Sequence, residues 1–350
     1  MGYPLARLAA RATSDGSRVG LLSASGSFAD LSLVADRWPS PLLAKAARHR
    51  TIDEVIASES IERLHAELNR ISWSELGPDD LVAGEQLRLL APVRRPSKVI
   101  GIGLNVGGLV GGAVPALDEL PRFAPFWFMK APSAVIGSLQ PIVHPGRWHT
   151  EHLIPEPELG LVVGRRCGPD VATPKGTECA AYVAGFLNFN DVSAIDIEFK
   201  RAGPPFAFNL SWSKSYPTFA PLGPALVLNT PDLDPCEMPV RMTVSGETIV
   251  SANTRDMLWS PWELIEYFAS VLTLEPGDVI SCGNFPPVSR DIWPGDEVTV
   301  EVGPLGQLTN PVIATSHETR YVIPERVKQE ADRYREGIVK SRSSTKSVAN

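Results

Sequence analysis

The sequence has little cysteine: four residues in 350, Cys167, Cys179, Cys236 and Cys282, with no C-x-x-C pair among them. That spacing argues against a zinc ribbon and a disulfide framework and fits reduced thiols in a cytoplasmic setting. An excess of positive charge is also missing. Lys and Arg number 33 against 40 Asp and Glu, a net charge of −7, so the basic face that a nucleic-acid partner requires is not there. No secretory leader is legible, because Arg7 and Arg11 fall inside what would have to be its apolar segment. Gly2 is followed at position 6 by alanine, where myristoylation requires Ser or Thr. The 19-residue uncharged stretch Val99 to Leu117 carries six glycines, Asn105 and Pro115. Glycine costs about 1 kcal/mol in a helix interior, so a loop is expected there and no membrane span. Gly101-Ile102-Gly103 opens like a dinucleotide fingerprint, but Val106 stands at its sixth position and no helical period follows, which argues against a Rossmann site.

Apolar material, by contrast, is plentiful. Hydrophobic residues make up 43% of the chain and mean hydropathy is −0.02, enough for the core of a soluble globular protein of about two domains. Residues 3–35 alternate short apolar runs with turn signals such as Ser14-Asp15-Gly16-Ser17, which predicts paired strands. Over 42–72 the period changes: Ile52, Val55, Ile56, Ile61 and Leu64 recur at threes and fours, the spacing of a helix face. From Lys98 onward strand-like runs dominate, among them LGLVVG, YVAGFLNF, PVRMTVSG and DEVTVEV, with one strong amphipathic helix around Pro261 to Leu272. The expected organisation is a small N-terminal α+β lobe at 1–95, a β-rich domain at 96–324, and a charged helical tail at 325–350 whose end is disordered.

Two carboxylates open one of these strands. Glu156-Pro157-Glu158 runs into Leu159-Gly160-Leu161-Val162-Val163, and residues i and i+2 of a strand share a face. Adjacent anions repel unless a cation sits between them; a solvent-facing acidic pair is the alternative. The run from Tyr182 to Asn190-Asp191 predicts a further strand ending in an Asn-Asp turn, where Asp191 offers a third oxygen ligand. Lys214 stands in the serine-rich run Trp212-Ser213-Lys214-Ser215-Tyr216. It is either a solvated surface residue or the cation that holds a substrate carboxylate or enolate.

These blocks, in order with Lys98 to Asn105, Leu222-Gly223-Pro224, Asn253-Thr254-x-Asp256-Met257, Pro276-Gly277-Asp278 and Pro294-Gly295-Asp296, resemble the fumarylacetoacetate hydrolase family. The resemblance covers about residues 98–315, and Val19 to Leu33 is similar to the family's small N-terminal lobe. It implies an α+β, β-rich fold with a mixed β-roll or β-sandwich catalytic domain, frequently a homodimer. It also implies Mg²⁺, or Mn²⁺ or Ca²⁺, held by Glu156, Glu158 and Asp191; oxygen-only ligation favours such cations over zinc. The implied enzyme acts on a small 2-oxo acid or β-dicarbonyl (acylpyruvate-like) substrate through a metal-bound enolate, with C–C hydrolysis as the family default. Isomerisation, decarboxylation, dehydration and cyclisation use the same enolate and stay open, as does a catalytically silent metal-binding partner protein. By the same resemblance Lys214 pairs with the substrate's oxygens, Thr254 lies near the bound acid, and the Cys282-Gly283-Asn284 turn lines the pocket.

The chain departs from the family in three places. Many hydrolytic members carry a histidine shortly after the Gly-Leu-Asn segment; here Val106-Gly107-Gly108-Leu109-Val110 follows, and a general base must come from elsewhere. Asp118 and Glu119 are candidates, Glu119 being the catalytic one carried forward, and His144, His149 and His152 precede the glutamate pair; all of them also read as solvated loop residues. Beyond Asp191, Ile195 and Glu198 stand where members often have Arg and Gln along the substrate. Isoleucine removes a bidentate carboxylate contact, so a substrate other than the usual dicarboxylate is expected. Cys282-Gly283-Asn284-Phe285 replaces Thr-Gly-Thr-Pro, with Cys282 expected as a small buried residue and not a nucleophile.

Overall fold

The computed structural model describes residues 5–106, 124–197, 210–285 and 290–317, together with Glu325, Arg326, Gln329 and Arg333. The apolar runs form a mixed sheet of eleven strands. Its order is Phe28–Asp30, Gly16–Leu22, Arg7–Thr13, Ala220–Leu228, Val183–Asn190, Pro157–Val163, Val279–Ser281, Val99–Gly103 and Phe126–Lys130, with Leu89–Leu90 and Val135–Ile136 off this path. Most neighbours are antiparallel, but Val279–Ser281 runs parallel to Val99–Gly103. A second sheet of five, Glu247–Asn253, Pro239–Val244, Glu297–Val302, Gln307–Ala314 and Ile142–His144, packs against it.

Both faces of the large sheet are covered. Leu159, Leu161 and Val163 enter a core shared with Val240, Met242, Val298 and Val300 of the second sheet. Val162, with Leu187 and Phe189 of the next strand, faces the opposite core, closed by Leu43, Ile52, Val55 and Ile56 of the N-terminal helices. A strand buried on both faces needs apolar side chains at every position, which is why these strands read as continuous runs. The central strands also approach closely: a Cβ on Gly185 would stand 2.1 Å from the Val227 carbonyl oxygen.

The sheet is rolled without closing into a barrel. Phe126–Lys130 leads through the short turn Pro132–Ala134 into Val135–Ile136, which pairs parallel with Ala220–Leu228 on the far side of the sheet. The predicted N-terminal strands Arg7–Thr13 and Gly16–Leu22 form, and they continue this same sheet, with Arg7 and Leu8 opposite Val227 and Leu226.

The helical period over 42–72 resolves into three helices, Pro41–Ala46, Ile52–Ser58 and Ile61–Leu68. Each starts at a capping side chain, Ser40, Thr51 or Ser60, which satisfies an amide that the first turn leaves without an acceptor. Leu31–Arg37 corrects the sequence reading, which had placed its apolar residues among the strands. It is a helix whose Leu31, Val34 and Ala35 are buried together on one face, and this helical spacing prevails over the local strand-like composition. The expected amphipathic helix spans Pro261–Val271 behind a capping box of Ser260 and Glu263. Of the tail, Glu325, Arg326, Gln329 and Arg333 are helical, and its far end lies outside the described residues. No described helix is long and apolar enough to cross a membrane.

Candidate active site

Strand register gathers the predicted acids at one end of the central strands. Pro157 lies opposite Asn190 and Glu158 opposite Phe189, so the start of one strand meets the end of the next. Gly160 opposite Ser281 brings the turn through Asn284 alongside. The Asn190 side-chain oxygen accepts the Glu156 amide at 3.0 Å, and the Asp191 amide donates to the Glu156 carbonyl at 2.8 Å. These bonds fix the backbone from which Glu156 and Asp191 project.

Glu156, Glu158 and Asp191 are 8%, 1% and 1% exposed, which removes the solvent-facing alternative for the acidic pair. Lys214 is likewise no surface residue. Presented by the short helix Leu210–Ser213, its Nζ donates to Glu156 Oε2 at 2.5 Å, Asp191 Oδ2 at 2.6 Å and Ser193 Oγ at 2.6 Å, and it lies 4.9 Å from the Phe128 ring centroid. Lys130, also buried, donates to Asp191 Oδ1 and to the Val192 carbonyl at 3.2 Å. The Asn284 amide donates to Glu156 Oε1 at 2.8 Å. Glu158 Oε2 accepts from the Gly283 amide at 2.9 Å and from the Ser281 hydroxyl.

Three carboxylates against two ammonium groups leave one negative charge in excess. Burial pushes the Glu158 carboxyl well above the usual range, and the charges of Asp191 and Glu156 push it the same way. Burial pushes Asp191 up too, but the ammonium groups of Lys130 and Lys214 outweigh it and hold that carboxyl below its ordinary value. Burial lowers Lys130, with Asp191 opposing and Lys214 reinforcing the shift. Glu158 is thus the acid that the lysines serve least.

This donor set suits a hard divalent cation: clustered carboxylate oxygens, no thiolate or imidazole bonded to them among the described residues, and a deficit of positive charge. Among the described residues no three His, Cys, Asp or Glu side chains stand as a ready-made metal cage. The Lys214 ammonium instead bridges two of the three acids.

The other predicted residues are placed as follows. Gly283 has φ +107°, and a Cβ there would stand 2.5 Å from Asn105 Cβ, so the turn that serves Glu158 requires glycine. Asn105 pins that turn through its side chain, donating to the Cys282 carbonyl at 2.5 Å and to the Trp259 carbonyl at 3.0 Å. Thr254 is buried with its hydroxyl accepting the Met238 amide at 2.8 Å; no hydrogen bond joins it to the acids among the described residues. Ile195 is half-buried, its amide bonded to the His152 carbonyl. Asp118, Glu119 and Glu198 lie outside the described residues.

The three histidines all have partners. His149 meets the Tyr216 hydroxyl at 3.3 Å and His152 meets Asp291 at 3.2 Å. His144 is buried and stacked on Trp293 at 5.0 Å, so the solvated reading fails for it. Cys282 is fully buried, and burial, reinforced by the Glu158 charge, pushes its thiol well above the ordinary value. An inert, small buried residue was the expectation. Sequence reasoning missed Lys130. The available signal was a lysine two residues beyond Phe128 in the otherwise apolar Phe126-Trp127-Phe128-Met129-Lys130, on the same strand face as a buried aromatic.

Fold and site define a class first: a rolled mixed sheet with a buried cluster of three acids and two lysines at its strand ends. The chain belongs to the fumarylacetoacetate hydrolase family, a family of enzymes, and residues 98–313 match the model described as fumarylacetoacetate (FAA) hydrolase C-terminal. Over 235 residues it is 35% identical to the mitochondrial oxaloacetate tautomerase FAHD2A of Bos taurus, covering 65% of this chain and 70% of that one. Among solved structures it is similar to a 5-carboxymethyl-2-hydroxymuconate delta-isomerase from Mycobacterium smegmatis, with a TM-score of 0.62, 26% identity, and coverage of 88% of this chain and 100% of that one. It shares its fold with a maleylpyruvate hydrolase from Sphingobium sp. SYK-6 solved with manganese(II) and pyruvate, at a TM-score of 0.65, 22% identity, and coverage of 89% and 100%.

Proposed function

We propose that the chain is a divalent-metal-dependent enzyme that enolises a small 2-oxo acid, interconverting its keto and enol forms. The observation that carries this reading is the buried cluster of Glu156, Glu158 and Asp191 with Lys214 bridging two of them. The three acids would hold Mg²⁺ or Mn²⁺, which when bound polarises the 2-oxo and carboxylate oxygens as a Lewis acid. The rest of the work falls to the chain. Lys130 is committed to Asp191 and the Val192 carbonyl and holds that carboxylate in orientation. Asn284 does the same for Glu156, and Gly283 with Ser281 for Glu158. Lys214, now on Glu156 and Asp191, would donate to the substrate's oxygens once those carboxylates held the cation. There its ammonium would stabilise the negative charge that grows on the enolate oxygen as the carbon-bound proton passes to a base, a role for which Glu119, outside the described residues, is the candidate the sequence offers. Burial around Phe128 excludes water and strengthens each of these interactions.

Two observations favour enolisation over hydrolysis. Both reactions need a proton acceptor, but hydrolysis must in addition hold and activate a water, and no histidine is bonded to the cluster among the described residues. The oxaloacetate tautomerase relative, 35% identical over 235 residues, supports the same reading. Hydrolysis of an acylpyruvate is the second reading, supported by the apolar Ile195 where an arginine would grip a second carboxylate. A homodimer belongs to the same proposal and is checked by light scattering.

The test strips the protein with chelator, restores Mg²⁺ or Mn²⁺, and follows the enol absorbance of oxaloacetate and acetylpyruvate with products identified by mass. Metal-dependent keto–enol equilibration without pyruvate is expected. Pyruvate formed from acetylpyruvate at the rate of enol loss establishes hydrolysis instead, and turnover indifferent to metal rejects both readings.

A further inference from the structure

The strand Phe126–Lys130 presents two different faces. Trp127 and Met129 pack into the core between the sheets, Trp127 edge-to-face with Phe268 at 5.6 Å. By the two-residue period of a strand, Phe126, Phe128 and Lys130 share the other face. Two contacts fix where that face looks. Lys130 donates to Asp191 Oδ1, and the Lys214 ammonium lies 4.9 Å from the Phe128 ring centroid, because the short helix Leu210–Ser213 that leads into Lys214 packs against this strand. Phe128 is buried, yet it joins none of the apolar cores that the described residues form. Its ring is a wall of the carboxylate cluster.

The neighbouring strand is built to receive these rings. Gly101 pairs with Phe128 and Gly103 with Phe126. A Cβ on Gly101 would run into the Phe128 ring, and one on Gly103 would stand 2.6 Å from Phe126 Cδ1, so each ring lies across the glycine opposite it. Covering a glycine is reason enough for a buried aromatic in a strand pair. It does not account for Phe126, which is 44% exposed, next to the 48% exposed Leu104 that follows Gly103. From the inside outward the face reads ammonium, buried ring, exposed ring, in steps of about 7 Å at roughly 3.4 Å per residue. A ligand anchored at Lys214 meets Phe128 first and Phe126 next.

On the footing of the 2-oxo acid reading proposed above, we infer that Phe126 and Phe128 floor a subsite for the end of the substrate remote from its carboxylate, and that this end is a flat apolar group, an aryl ring. The substrate class is then an aroylpyruvate, whose enol is conjugated with the ring and keeps the whole molecule flat along the strand face. Aromatic rings in contact gain more than their buried area alone supplies. A second carboxylate would lose its water on the same floor without compensation. Phe126 is the residue that sets this specificity.

The test titrates 4-phenylbenzoylformate, a 2-oxo acid with no enolisable hydrogen, and pyruvate into the Mn²⁺-loaded full chain by calorimetry, and compares turnover of benzoylpyruvate with that of acetylpyruvate. The aryl acid should bind about tenfold or more tighter than pyruvate, and benzoylpyruvate should be preferred in kcat/KM by a similar factor. Phe126→Ala should remove most of both preferences and Phe126→Trp should keep them, with circular dichroism confirming the fold. Equal affinity for the two acids, no saturable binding of the aryl acid, or a preference that survives Phe126→Ala would overturn the inference. Tight, Phe126-dependent binding without turnover of either acylpyruvate would uphold the subsite and remove the reaction proposed above. Turnover of both at a ratio that Phe126→Ala does not alter would remove the subsite and leave the reaction standing.

Discussion

Replacing Lys130 with methionine separates the electrostatic account of the cluster from a purely steric one. Methionine keeps most of the aliphatic stem, so little cavity opens in this fully buried position. What disappears is the ammonium that serves Asp191 Oδ1 and the Val192 carbonyl. Removing one member of a buried ion pair costs about 3–5 kcal/mol because the remaining charge is left uncompensated. Asp191 keeps Lys214 on its other oxygen at 2.6 Å, which places the expected loss at the lower end, about 3 kcal/mol in metal-free protein. The same substitution raises the excess negative charge of the cluster from one to two. A divalent cation then gains more from binding, and since a ligand stabilises the fold it binds by mass action, added Mn²⁺ should recover more stability in the variant than in the parent. Urea unfolding followed by tryptophan fluorescence, with chelator and with Mn²⁺, measures both quantities. A loss below about 1 kcal/mol, or an equal loss with and without metal, would refute the reasoning.

Asp191→Ala or Glu156→Ala should abolish metal-dependent thermal stabilisation and turnover together; an active, metal-insensitive Asp191→Ala protein rejects the site. Lys214→Met should retain metal affinity while turnover falls by about 10²–10³, the usual cost of one donor to a developing oxyanion; parallel loss of both makes the lysine a structural residue. Gly185→Ala forces a Cβ to within 2.1 Å of a backbone oxygen that cannot move aside and should cost 3 kcal/mol or more, taking about 3 as the upper end of ordinary overpacking; an unchanged melting temperature contradicts the strand geometry. Burial, reinforced by Arg147, lowers the pKa of His144 below its ordinary 6.5. The unfolded chain therefore takes up that proton first, and stability should decline as pH falls from about 6.5. His65 is shifted the same way by its own burial, so His144→Phe should flatten the decline in part; no change on substitution counts against the assignment.

The acids were legible in the sequence because they obey local rules. Glu156 and Glu158 stand two residues apart where an apolar strand begins, and Asp191 directly follows the end of another at an Asn-Asp turn. Whether Lys214 was buried was not legible: its neighbours Trp212 and Ser213 suit a surface or an interior equally, and only the packed structure decides. Lys130 was harder still. It lies 61 residues from Asp191 and reaches it because the sheet rolls back on itself, a long-range property with no periodic trace in Phe126 to Lys130. The helix Leu31–Arg37 was hidden for a related reason, since seven residues next to a strand carry too few turns for a period to show.

The N-terminal strands have a consequence for anyone dissecting this protein. The family-matching segment begins at residue 98, yet its strand Ala220–Leu228 is completed by Arg7–Thr13. Expressed from residue 98, the chain would present Leu226, Val227 and Leu228 on an open edge, ready to pair with whatever strand came next. Residues 5–30 then act as a built-in donor strand, and the same register that completes the sheet in one chain offers a way to split it. A truncated chain that aggregates alone should be rescued by supplying that segment as a separate peptide.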